Sequence, residues 1–257
     1  MRFLPATTAL LLAATLGVQA QTTPARVNDH NAHTWLMYFS DARLSERWGV
    51  HTEAQWRRSE VLAGSQQDFV RAGINYYAGP RLMLTGGYAF ALTHPYGEFP
   101  AASRFPEHRI YQQVLLRDAL GRVQVSHRYR QEQRWLRRPG NDQFTYLNRT
   151  RYQLRLMLPL NGTGQLQPHT PYLAAANEVF VNFGRNVANN FFDQNRASLA
   201  CGYQFSKATS VEVGYLHQLV QQGNGIVFEH NHTLQIGLNF NPDFRRQADP
   251  QPVPATE

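Results

Sequence analysis

Hydrophobic and polar side chains alternate residue by residue along most of the chain. In the clearest run, one face carries Trp48, Val50, Thr52, Ala54 and Trp56, and the other carries Gly49, His51, Glu53, Gln55 and Arg57. A helix with 3.6 residues per turn does not produce this pattern, whereas a β-strand places successive side chains on opposite faces. The sequence therefore predicts strands that each have one apolar and one polar face.

The same rule predicts eleven strands. They fall near residues 32–40, 48–59, 67–78, 81–92, 107–117, 122–135, 144–158, 171–182, 191–205, 210–221 and 229–240. Mostly short turns alternate with longer polar connections, as in an all-β, antiparallel, up-and-down transmembrane β-barrel. Because single-chain bacterial barrels usually have an even strand number, we expect 10 to 12 strands. Even parity requires a further strand from residues 21–31 or one incomplete strand among the eleven.

Strand length and tryptophan placement favour a membrane. Strands of nine to eleven residues tilted by about 45° span a bilayer, whereas strands in soluble proteins average about five or six residues. Trp48 and Trp56 lie at opposite ends of one apolar face, about 26 Å apart along the strand, as interfacial aromatic residues do. We expect contact with outer-membrane lipid. A soluble secreted β-barrel that binds a small ligand is the alternative.

The first twenty residues have the features of a secretory signal peptide. Arg2 gives a positive start, residues 4–16 are largely apolar, and Val18 and Ala20 offer small residues before a cut at Gln21. We expect export to the outer membrane of a Gram-negative bacterium. The predicted organisation is a signal peptide (1–20), an N-terminal segment (21–31), a barrel (32–240) and a polar, proline-containing tail (241–257).

Composition narrows the chemistry. The chain has a net charge of +7 and a single cysteine, so an intramolecular disulfide is excluded. Lys207 is the sole lysine, which makes nearly all of the positive charge guanidinium. Guanidinium favours fixed pairing with carboxylates, and the basic balance is not interpreted as nucleic-acid binding. No cofactor motif is present. His230 and His232 have a spacing at which two imidazoles can share a metal, but a hydrated loop end is the favoured interpretation.

Arginine and glutamate concentrate on the polar faces, which would line the barrel. The predicted lumenal charge network consists of Glu53, Arg57, Arg128, Arg130, Glu132, Arg134, Arg149, Arg151, Arg155, Glu178 and Arg196. Two interpretations are open: a structural lumen filled by ion pairs, or a narrow anion-favouring pore or cavity for small anionic or polar solutes. Around residues 128–155 only Glu132 is a local partner, so either Glu178 or Glu53 reaches in or a diffusible anion enters.

A lipid-modifying outer-membrane enzyme is the alternative from another functional class. Ser126 and His127 are adjacent, so a strand directs them to opposite faces, and Ser198 has no evident histidine partner. We therefore predict no catalytic residue.

A series of short motifs resembles a known family. They are Trp35, Gln55-Trp56-Arg57, the Arg-x-Arg-x-Glu-x-Arg run at 128–134, Asn177-Glu178-Val179-Phe180, Asp193-Gln194-Asn195-Arg196 and Gly214-Tyr215. In this order they resemble a domain-of-unknown-function family of bacterial outer-membrane β-barrels common in Bacteroidota, over nearly all of residues 30–240. The resemblance implies a barrel fold and an outer-membrane location, and it brings no known activity or catalytic residue.

Overall fold

The computed structural model describes residues 25–245, which form a closed barrel of eleven strands. The strands are β1 (Val27–Arg43), β2 (Trp48–Ser59), β3 (Gly64–Tyr77), β4 (Leu82–Thr93), β5 (Phe105–Leu120), β6 (Val123–Leu136), β7 (Thr145–Pro159), β8 (Thr170–Phe183), β9 (Phe192–Gln204), β10 (Thr209–Gln221) and β11 (Val227–Phe240). The predicted all-β barrel of 10 to 12 strands is confirmed. The predicted signal peptide (1–20) and residues 246–257 of the tail lie outside the described residues.

The barrel closes through a parallel pair. Val27 of β1 lies opposite Val227 of β11, and Phe39 lies opposite Asn239. Every other neighbouring pair is antiparallel, so the barrel is antiparallel as predicted except at this one seam. With an odd number of hairpin-linked strands, the first and last strands run in the same direction, and a parallel ladder satisfies both edges. No twelfth strand is needed, and residues 27–31 form the beginning of β1.

The connections define two ends of the barrel. We call the end with connections 60–63, 94–104, 137–144, 184–191 and 222–226 the upper end. The lower end has connections 44–47, 78–81, 121–122, 160–169 and 205–208. Val27 lies at the upper end and Phe240 at the lower end. The chain then continues beside β1, where the backbone N–H of Arg43 donates to Pro242 and that of Phe244 donates to Arg43.

The two faces of the barrel differ sharply in polarity. Outward side chains include Trp56 at 45% exposure, Trp48 at 52%, Ile74 at 61% and Leu199 at 67%. Inward positions are polar and closely packed, and Glu132 is fully buried. A soluble protein places its apolar side chains inside. In this barrel the described residues show the opposite distribution, with only a small buried apolar cluster of Phe69, Ala89 and Ala91.

Within residues 25–245 there is no helix long and apolar enough to cross a membrane.

Candidate functional site in the charged lumen

Two neighbouring strands supply most of the lumenal arginines. Arg130 on β6 lies directly opposite Arg151 on β7, and Glu132 lies opposite Arg149. Alternation along both strands turns the whole set inward, so the rows predicted from the sequence lie side by side. Such a row of guanidiniums needs negative partners, because like charges in contact repel.

Glu132 is the central carboxylate of the lumen. It accepts hydrogen bonds from Arg149 Nε at 2.8 Å and from Arg151 Nη1 at 2.7 Å. Arg71 on β3 approaches the same carboxylate at 3.7 Å. One fully buried carboxylate therefore contacts three guanidiniums that belong to two different strands.

Carboxylates from other strands extend this contact into a chain. Glu178 on β8 lies 2.8 Å from Arg151 and 2.9 Å from Arg128. Glu53 on β2 lies 2.5 Å from Arg71. The result is a continuous series of ion pairs across the lumen, which we call the central ion-pair chain: Glu53, Arg71, Glu132, Arg151, Glu178 and Arg128. The sequence left open whether carboxylates from other strands or a diffusible anion balance these arginines. In the structure both Glu53 and Glu178 reach the arginines.

Further pairs lie above and below the central ion-pair chain. Towards the upper end, Glu107 lies 2.6 Å from Arg109 and also pairs with Arg134. In the same region Arg149 contacts Asp193 at 2.7 Å. A separate pair towards the lower end joins Arg155 to Glu212, whose carboxylate also accepts from the Tyr172 hydroxyl at 2.9 Å.

Three arginines of the predicted network have no carboxylate within 4.0 Å among the described residues: Arg57, Arg130 and Arg196. Arg130 donates to the neutral amide of Gln113, and its Nη1 is buried without a partner. The Arg57 and Arg196 guanidiniums lie 4.0 and 5.0 Å from the Trp35 ring centroid. Cation–π contact replaces only part of a missing counter-charge. Three lumenal guanidiniums of the described residues therefore lack a direct carboxylate contact.

The central ion-pair chain separates two cavities. The upper cavity has a volume of about 230 Å³ and is lined by eight arginines but only three carboxylates. The lower cavity has a volume of about 410 Å³. Glu53, Gln55, Arg71, Arg151 and Arg196 line both cavities and form the constriction between them.

The connection between β4 and β5, residues 94–104, crosses the upper mouth. Tyr96 in this loop donates its hydroxyl to Glu229 of β11 at 2.6 Å. Tyr96 follows the end of β4 at Thr93, and β4 and β11 are four strands apart around the barrel, so this contact reaches across the opening. Gly97 has a φ of 75° and lies where any Cβ would meet Asp29 and Asn31 within 3 Å. Burial, and then the charge of Glu229, raise the pKa of Tyr96 well above its usual range, so the phenol stays a donor.

The sequence pattern missed two lumenal residues, Asp193 and Gln66, because a β-bulge interrupts the alternation at each of them. The register shifts between Phe180 and Val181, and Asp193 is the extra residue on β9, so Asp193 and Gln194 both turn inward. A second shift at Arg57 lets Gln66 accept from Trp35 Nε1 at 2.7 Å. Glu107 was also missed, although the sequence indicates its position. It lies two residues before Arg109 and therefore on the same face of β5.

The candidates for other chemistry stay apart. Ser126 and Ser198 line the lower cavity, whereas His127 faces outward and contacts the Tyr152 hydroxyl at 2.9 Å. His230 and His232 lie on the outer face with His30 and His217. Over residues 25–245, no group of three or more histidine, cysteine, aspartate or glutamate side chains is arranged to hold a metal ion.

The two predicted interfacial tryptophans face outward at opposite ends of β2. Trp48 packs against Tyr76 at 5.0 Å near the lower end. Towards the upper end, Trp56 lies 3.8 Å below the Arg58 guanidinium. Trp135 and Tyr146 form another outward aromatic pair at 5.3 Å.

Fold and lumen together define the class of this protein: an eleven-stranded β-barrel with an apolar exterior and an arginine-rich interior. Within that class the chain belongs to the family described as Protein of unknown function (DUF2490), whose model matches residues 32–229. The expected membership in a family of unknown function is thereby confirmed. Comparison with curated proteins and with solved structures gave no match.

Proposed function

We propose that this chain is an outer-membrane barrel whose lumen is a narrow, anion-favouring passage. The observation that carries the proposal is the reversed polarity of the barrel, which has exposed aliphatic and aromatic side chains outside and buried arginines inside. Water does not favour a continuous belt of exposed apolar side chains, whereas the hydrocarbon of a bilayer does. The longer connections of the upper end face the cell exterior, as in barrels of this type.

Charge in the lumen supports the preference for anions. Arg57 and Arg196 line the upper cavity and have no carboxylate within 4.0 Å among the described residues, which favours a positive potential in this confined space. Barrels of about eight strands are filled by side chains, and wide aqueous channels need 16 to 18 strands. An eleven-stranded barrel with a constriction of ion pairs therefore admits only small solutes.

The location is tested by fractionation and gel mobility. The protein should stay in carbonate-washed outer membranes, and boiling should change its electrophoretic mobility because heat unfolds the barrel. Recovery in the soluble periplasmic fraction would favour a soluble ligand-binding barrel. Hydrolysis of purified phospholipid by the intact protein, abolished in Ser126→Ala or Ser198→Ala, would favour the enzyme instead.

The passage is tested in planar bilayers. Purified protein should give small conductance steps with a preference for chloride over potassium. Arg57→Gln and Arg196→Gln should reduce this preference, because both side chains line the upper cavity without a carboxylate partner. Lys207→Gln, which removes the same charge at the exposed lower turn, is the matched control and should leave the preference nearly unchanged. Large cation-selective steps would contradict the proposal.

A further inference from the structure

The lower cavity has two chemically different walls. β1 directs Trp35, Met37 and Phe39 into the lumen, and all three line this cavity. Met37 and Phe39 keep accessible surface although they point inward. Side chains that only filled the barrel would be packed, so this apolar wall faces open space.

The opposite wall is rich in arginine. In an eleven-stranded barrel the strands farthest from β1 are β6 and β7, each five steps away around the sheet. Arg128 and Arg130 come from β6 and Arg155 comes from β7, and all three line the cavity. The apolar side chains of β1 thus lie across the lumen from arginines, of which Arg128 and Arg155 are paired with Glu178 and Glu212.

Arg130 has no carboxylate within 4.0 Å among the described residues. Its side chain is almost completely buried, at 3% exposure, and within residues 25–245 its guanidinium donates only to the amide of Gln113. The neighbouring Arg128 pairs with Glu178, but its Nε is also buried without a partner. Buried charge is costly unless an opposite charge is close. An anion bound in the lower cavity would supply that charge.

We propose that the lower cavity binds an amphipathic organic anion, with its anionic group towards Arg128 and Arg130 and its apolar part against Met37 and Phe39. A volume of about 410 Å³ is within the usual range of small-molecule sites. A purely inorganic anion leaves the apolar wall uncovered, and a neutral apolar molecule leaves Arg130 without a partner. This inference rests on the proposed anion-favouring lumen and names the class of ligand that it holds.

Substitution of Gly237 by a larger residue would fill the apolar half of the lower cavity. Gly237 faces the lumen beside Met37, and a Cβ built there meets only Met37 Cε and Phe39 Cε2, both at 4.0 Å. Gly237→Leu therefore adds bulk to the cavity without touching the arginines. The matched control is Gly86→Leu, because Gly86 faces outward and a Cβ there meets nothing within 4 Å.

The test is calorimetric titration of the full-length protein in lipid nanodiscs with 4-phenylbutyrate, its neutral amide and inorganic phosphate. Empty nanodiscs correct for partition into lipid. Wild type and Gly86→Leu should bind 4-phenylbutyrate at least tenfold more tightly than the amide. Gly237→Leu should weaken 4-phenylbutyrate at least tenfold and leave phosphate unchanged. Arg130→Gln should weaken 4-phenylbutyrate at least tenfold without exposing a carboxylate that has lost its partner.

Equal binding of the acid and the amide, or unchanged 4-phenylbutyrate binding by Gly237→Leu, would overturn the inference. If Gly237→Leu loses its heat-modifiable band and so fails to fold, Phe39→Gln tests the same wall. Phosphate binding and anion-preferring conductance without 4-phenylbutyrate binding would overturn the ligand class alone. Binding of 4-phenylbutyrate without conductance would instead contradict the proposed passage.

Discussion

The inner face of this barrel buries charged side chains, whereas its outer face exposes apolar side chains. Outside, Leu199 and Ile74 are 67% and 61% exposed and have no protein to cover them. Inside, Glu132 is buried with charged atoms on every side. In the proposed membrane location, the stability of such a barrel depends on two separate terms, the ion pairs of the lumen and the transfer of the outer face into lipid.

The comparison also shows how one strand serves both environments. On β7, Gln153 and Arg155 face the charged lumen, while Leu154 and Leu156 between and beyond them face outward. A shift of one residue would exchange the two sets completely. Register is thus fixed from both sides at once, and substitutions on the two faces should have different consequences.

The largest effect should come from breaking the central ion-pair chain. Glu132→Gln leaves Arg149 and Arg151 without their shared carboxylate and should lower the free energy of unfolding by about 3 to 5 kcal/mol. The free energy of unfolding is measured by urea-dependent folding into vesicles. Arg130→Gln is the matched control, since it leaves no carboxylate unpaired, and the lost hydrogen bond to Gln113 is offset by removal of a buried charge, so the free energy of unfolding should change by no more than about 1 kcal/mol. Equal costs would show that the chain does not behave as a connected unit.

The next effect distinguishes the outer face from the inner one at nearly the same depth. Leu154→Arg should cost about 2 to 4 kcal/mol if it meets the bilayer interior. Gln153→Arg, directed into the lower cavity, should cost much less in the same vesicle assay. If the two neighbours cost the same, the assignment of the outer face to lipid is wrong.

A smaller effect concerns the loop that crosses the upper mouth. Tyr96→Phe removes the hydrogen bond to Glu229 and should increase anion flux through reconstituted vesicles, with a stability loss of about 1 kcal/mol. Phe99→Leu is the control, because the loop uses the backbone carbonyl of Phe99, which accepts from Gln222. Unchanged flux in Tyr96→Phe would show that this contact does not restrict access.

The pH dependence of the same contact has a definite sign. Because the pKa of Tyr96 is raised in the folded protein, its stabilising contribution is complete below pH 10 and is lost only as the pH rises further. Anion flux through the wild type should therefore stay constant between pH 8 and 10. A rise of flux within that range that is absent from Tyr96→Phe would contradict the role of the phenol.

The smallest perturbation is the labelling of a single lysine, which tests whether the lower and the upper end of the barrel lie on opposite sides of the membrane. Lys207 is the sole lysine and lies exposed in the lower turn at residues 205–208. An impermeant amine reagent on intact cells should leave it unmodified if the lower end faces the periplasm. Val61→Lys in a Lys207→Arg background places the amine at the upper end and should be modified. Peptide mass spectrometry separates both products from the N-terminal amine.

Alternation was sufficient to predict the strands and the facing of most lumenal arginines, because each strand has to satisfy two environments. It did not predict the parallel seam, which follows from how β1 and β11 meet and not from either strand alone. Asp193 and Gln66 were missed because bulges place two successive residues inward. The contact from Tyr96 to Glu229 joins residues 133 apart in the chain, and no local pattern indicates it.

The most direct test of the account compares two adjacent residues on β9 in a Cys201→Ser background. Nitroxide labels at Leu199→Cys and Ser198→Cys are placed in reconstituted bilayers, and their accessibility to oxygen and to a water-soluble nickel complex is measured by power saturation. The label at residue 199 should collide mainly with oxygen, which concentrates in lipid, and the label at residue 198 should be protected from it. Equal access of the nickel complex to residue 199 and to a label in the lower turn would contradict a lipid-facing exterior.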